Sequence, residues 1–173
     1  NTDVNLFYSQ RYADGMSAVA GGENDLFARN NFGLNLGQQF SDNYSLRLSA
    51  NKDFSRSEYD GFDASFIPAD ANNLLVSDQW RFALQQNLQY NKGELQLDLG
   101  YQSTERDFQS DFPVFYESTN LTLDLSNRYV FSDQLYSIVG YFTQQNTANI
   151  VDEEKSAQHD LYANLIYLID GFN

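Results

Sequence analysis

The sequence predicts an all-β chain, an antiparallel up-and-down transmembrane β-barrel segment of about eight strands with short periplasmic turns and long extracellular loops. Three observations predict it. Apolar residues recur at every second position in segment after segment, which is the period of a strand and not of a helix. Short turn motifs alternate with much longer polar connections along the chain. Aromatic residues bracket the apolar runs at both ends, as interfacial girdles require.

The first run is Val4, Leu6, Tyr8 and Tyr12. Phe32, Leu34, Leu36 and Phe40 follow, with Asn31, Gly33, Asn35, Gly37 and Gln39 between them. The third run is Tyr44, Leu46, Leu48, Ala50 and Phe54, and the fourth is Trp80, Phe82, Leu84, Leu88 and Tyr90. Leu95, Leu97, Leu99 and Tyr101 make the fifth, and Leu121, Leu123, Leu125, Tyr129 and Phe131 the sixth. Two more strands, from Leu135 to about Gln145 and from Asp160 to Ile169, carry apolar residues on both parities, so the sequence leaves their facing open. Tight connections are expected at 41–43, 91–93 and 132–134, where Ser, Asp, Asn and Gly supply turn chemistry. Long ones are expected at 13–29, 55–78, 103–118 and 146–158. No domain boundary interrupts residues 1–173, which read as a single barrel segment.

Alternation alone does not say which face meets water. A soluble barrel would turn its Leu, Phe and Tyr inward. An eight-stranded barrel has room inside only for ordinary side chains, and Trp80, Phe82, Tyr90, Tyr101, Tyr129 and Phe131 would crowd it. The bracketed runs have about the nine to eleven residues of a tilted membrane-crossing strand. Both points favour an outward apolar face and a wet lumen rich in Asn, Gln, Ser, Asp and Arg.

Composition removes other classes. The 173 residues carry 24 Asp and Glu against ten Lys and Arg, a net charge of −14, so no cationic stripe exists to bind nucleic acid. Cysteine is absent and His159 is the single histidine, which excludes thiolate chemistry and multi-histidine metal cages. The common phosphate-loop, dinucleotide and hydrolase motifs do not occur. A glycosidase needs two carboxylates facing a cleft, and none is singled out here, so no enzyme is expected. An aromatic content of 16% is too high for disorder despite a mean hydropathy of −0.53.

Several segments resemble the TonB-dependent outer-membrane receptors, and their cobalamin-transporter branch above all. They are Phe40-Ser-Asp-Asn-Tyr-Ser-Leu46, Ser57-Glu-Tyr-Asp-Gly-Phe-Asp63, Phe131-Ser-Asp-Gln-Leu135 and Asp160-Leu-Tyr-Ala-Asn-Leu165. Residues 14–31 resemble an early extracellular loop of the same receptors. The family barrel has about 22 strands around a plug domain. The resemblance therefore implies a fragment of a larger barrel, with neither plug nor TonB box in this sequence. It also implies a Gram-negative outer membrane as the location, and uptake of a scarce nutrient, cobalamin or another metal chelate, as the function. Its partners would be outer-membrane lipid, the plug and remaining strands, TonB indirectly, and a small-molecule nutrient. The alternative is a standalone eight-stranded outer-membrane barrel with a structural or adhesive role.

In the cobalamin branch the resemblance implies Ca²⁺ held by acidic residues of the early loops. The nearest matches are Asp14, Glu23, Asp25, Asp60 and Asp70, all hard oxygen donors of the type calcium takes. The competing reading is a solvated acidic loop surface. No organic cofactor and no catalytic residue is expected, and the sequence assigns no substrate-binding residue. Loop aromatics Phe62, Phe66, Phe112, Phe115 and Tyr116 are candidates for apolar contacts, and Arg47, Arg81 and Arg128 for lumen pairs with Asp53, Asp98 and Asp124.

Overall fold

A computed structural model describes residues 1–17 and 19–168. Eight strands follow one another: β1 (Thr2–Asp14), β2 (Leu26–Ser41), β3 (Tyr44–Phe62), β4 (Pro68–Tyr90), β5 (Gly93–Gln109), β6 (Val114–Ser132), β7 (Leu135–Asn149) and β8 (Glu153–Tyr167). Each pairs antiparallel with the next, in the order β1 to β8, with no helix among the described residues. The sheet is not closed: β1 and β8 are free edges. The end of the expected last strand and the closing segment 170–173 lie outside the described residues.

The strand centres fall where alternation puts them, and the tight turns lie at Asp42-Asn43, Asn91-Lys92 and Asp133-Gln134. The long connections differ from expectation. Those at 55–78, 103–118 and 146–158 are mostly ladder, and only 63–67, 110–113 and 150–152 leave it. Their apolar residues, such as Leu74-Leu75-Val76, do not alternate, so backbone pairing continues there without a period-two pattern to announce it.

Register settles the facing, because residues directly opposite share a face. One row runs Val4, Leu36, Leu48, Leu84, Leu99, Leu123, Thr143 and His159. The next runs Leu6, Leu34, Ala50, Phe82, Tyr101 and Leu121. On β7 and β8 this face carries Val139, Tyr141, Leu161 and Leu165. Rings meet along it: Tyr8 lies 4.7 Å from Phe32, Trp80 5.6 Å from Phe82, and Tyr129 5.0 Å from Phe131.

The other face is polar. Across its middle run Asn5, Asn35, Ser49, Ala83, Gly100, Thr122, Gln144 and Gln158. At each edge an aromatic ring lies across a facing glycine. Phe7 covers Gly33 on β2, and Tyr162 covers Gly140 on β7, so that a Cβ at either glycine would overlap the ring. The Tyr162 hydroxyl then donates to Asp124 at 2.8 Å.

No hydrophobic side chain is buried among the described residues; the buried side chains are Asp53 and Thr104, both on the polar face. The accessible surface is 12268 Å², against about 8,600 Å² for a compact globule of this mass. The sheet has no core of its own, and the apolar face is left open.

Candidate functional site

The acidic residues converge where the β1–β2 connection, 15–25, folds against the β3–β4 hairpin. Gly15 donates to the Asp25 carbonyl at 2.8 Å, which brings the two ends of the connection together. Within it the Ser17 hydroxyl accepts from the Val19 amide at 2.9 Å and donates to Asp60 at 2.9 Å. Gly21 turns the chain at φ 86°, the left-handed region that favours glycine. Gly22 then sits against the Asp70 carboxylate and the Ser17 hydroxyl, where a side chain would not fit.

This fold puts four of the five expected residues together. Glu23 shares a hydrogen bond with Asp70, which raises the Glu23 carboxyl above the usual range, and the charges of Asp70 and Asp60 add to it. Asp25 is raised as well, first by desolvation and then by the charges of Asp60, Glu58 and Asp70. The fifth residue, Asp14, is engaged elsewhere and accepts from the Tyr12 hydroxyl at 3.0 Å. Glu58, outside the expected set, belongs to this neighbourhood and accepts the Leu26 amide at 2.9 Å. Among the described residues no group of three or more carboxylates is preassembled around a cation position.

Two further polar constellations needed the register to be seen. On the polar face Asp53 is held by Arg29, whose Nε and terminal nitrogen donate at 2.9 and 2.7 Å, and by the Asn31 amide at 2.9 Å. The expected partners of Asp53 were Arg47, Arg81 or Arg128. Arg29 stands two residue pairs along the β2–β3 ladder from Asp53, on the same face, and takes it, while Arg128 lies over the Tyr136 ring at 4.5 Å. On the apolar face, beyond the aromatic residues, Asp78, Glu105 and Glu117 stand directly opposite one another on β4, β5 and β6. Lys52 offsets the first of them at 2.9 Å and also lies 4.6 Å over the Trp80 ring.

No family model matches the chain, and no curated protein matches it. The functional reading therefore rests on the sheet and its side chains.

Proposed function

We propose that this chain is part of the wall of an outer-membrane β-barrel in a Gram-negative bacterium. The observation that carries the reading is the absence of any buried hydrophobic side chain among the described residues, together with an open face of Leu, Phe, Tyr and Trp. In water such a face would associate or aggregate. In lipid it is the expected surface, and the opposite polar face lines a wet lumen.

The slope of the apolar belt supports the same reading. Its outer edge lies at the row of Tyr8, Phe32 and Trp80 on the first strands and at the row of Tyr141 and Leu161 on the last, six residues lower along the ladder. At about 3.4 Å per residue and about 4.8 Å between strands, a level belt with this drift needs strands tilted by about 30°. Membrane barrels tilt their strands by a similar angle.

Within that barrel the resemblance supplies the finer reading: a TonB-dependent receptor that takes up a scarce nutrient, cobalamin or another metal chelate, with no catalysis assigned to the chain. The open edges favour a wall continued by further strands over a self-closed eight-stranded barrel, because lipid cannot satisfy unpaired backbone groups. Calcium belongs to this reading. Glu23, Asp25, Asp60 and Asp70 offer only hard oxygen ligands, and their mutual repulsion is what a divalent cation relieves. The cation would sit between the two connections where they already meet, at the Ser17–Asp60 and Glu23–Asp70 contacts.

The test is a blot of the outer-membrane fraction of cells that make the protein, with an antibody to this chain. A band several-fold heavier than 19.8 kDa supports the receptor. A band at that mass in the same fraction favours the standalone barrel, and a band confined to the soluble fraction sinks both.

A further inference from the structure

The two ends of the sheet differ in kind. The three tight turns are polar throughout, whereas every connection at the other end exposes apolar side chains at its tip. Met16 is 90% exposed, Phe66 87%, Phe112 88% and Val151 88%. The same end is strongly acidic. Segments 14–25, 56–73, 105–117 and 149–155 hold fourteen of the 24 carboxylates and three of the ten cations, a net of −11 out of the chain's −14.

The β3–β4 hairpin reaches furthest. Its tip lies ten residues beyond Lys52, which faces Trp80 at the belt edge, and so stands about 30 Å out along the strand. It is built as a rigid knob. The Asp63 carboxylate accepts the amides of Ser65 at 2.8 Å and Ile67 at 3.0 Å, and the Asp63 and Ile67 backbones close the turn at 2.8 Å. Phe66 is the one non-glycine residue with positive φ among those described, at 60°. A bulky aromatic in the left-handed region is strained, and a turn would ordinarily place Gly or Asn there. The strain holds an aromatic ring in solvent, flanked by exposed Phe62 and Ile67.

We infer that this hairpin tip is a docking knob for a cationic polypeptide that presents apolar side chains. Charge complementarity selects the partner. The end of the sheet that carries this apolar tip holds the net charge of −11, so an anionic membrane surface is repelled, while a basic rim around an apolar patch fits. The acidic charge steers the approach, and the buried ring then supplies most of the affinity.

The test measures binding of a synthetic lysine–leucine amphipathic peptide to the folded chain in zwitterionic detergent, beside a lysine–serine peptide of equal charge. Phe66→Gly removes the ring and also relieves the backbone, so it keeps the fold. The expected result is that Phe66→Gly weakens the lysine–leucine peptide by about tenfold, that Phe66→Tyr leaves it unchanged, and that added salt weakens both proteins. The inference is overturned if the wild type does not bind, if Phe66→Gly binds as tightly as the wild type, or if it loses the lysine–serine peptide equally. Tighter binding of anionic vesicles than of the peptide would overturn it in favour of a membrane contact. The membrane reading of the sheet is not at stake: a chain soluble without detergent that still bound through Phe66 would end that reading and leave the knob.

Discussion

Arg29 and Asp53 show how this fold is held without a hydrophobic core. Asp53 is 8% exposed and accepts three close hydrogen bonds from Arg29 and one from Asn31, so its charge is satisfied almost wholly within the wall. Replacing Arg29 with Met leaves that buried carboxylate short of its main donor. It should cost about 1–3 kcal/mol, measured by urea unfolding in micelles, with Asp53→Asn costing less because no buried charge is stranded. The Glu23–Asp70 contact makes a different forecast. Glu23 is raised in the folded chain because it shares its proton with Asp70, so the contact contributes stability below the ordinary carboxylate range and loses it as pH rises through the raised value. Hydrogen exchange of the Gly22 amide, corrected for its intrinsic pH dependence, should therefore be slower near pH 4 than near pH 7. Glu23→Gln should flatten the difference; an unchanged profile in that variant would show that the carboxyl pair does not hold the loop. The sequence alone made the acidic cluster visible because its members crowd two connections. It could not show that Tyr12 diverts Asp14, or that Arg29 and not Arg47 reaches Asp53, since both depend on register.

Strand centres were legible for a simple reason: one face is apolar and the other polar, so side-chain period reports backbone period. Beyond the belt polar groups stand on both faces, and the signal vanishes although the ladder goes on. Residues Ser55 to Asp60 are strand, yet carry polar groups on both parities. The facing of β7 and β8 was unreadable alone, and becomes clear only through Leu125 and Tyr129 on β6, which fix β7, and through β7, which fixes β8. Register also places Glu105 directly opposite Glu117, with Asp78 beyond Glu105. Like charges so placed destabilise a sheet. Glu117→Lys should stabilise the β5–β6 pair by about 0.2–1 kcal/mol, seen as a higher urea midpoint with an unchanged slope. A lower midpoint would mean that Glu117 has a favourable partner other than its ladder neighbours.

Taken whole, the molecule inverts the usual arrangement. Hydrogen bonds and paired polar groups occupy its most buried positions, and its large apolar side chains face outward in a sloping belt. Neither free edge, β1 or β8, carries a proline to block pairing. Such edges are templates for pairing with further strands. Trp80, the chain's single tryptophan, stands at the outer rim of the belt, stacked on Phe82 and beneath Lys52. It is an intrinsic reporter of the central claim. The measurement is Trp80 fluorescence of the chain reconstituted into vesicles whose acyl chains carry bromine at different depths, beside iodide as the aqueous quencher. A lipid-facing belt predicts quenching that is strongest for bromine near the headgroups and weak for iodide. Strong quenching by iodide with no response to bromine at any depth would contradict it, because the apolar face would then meet water or protein and not lipid.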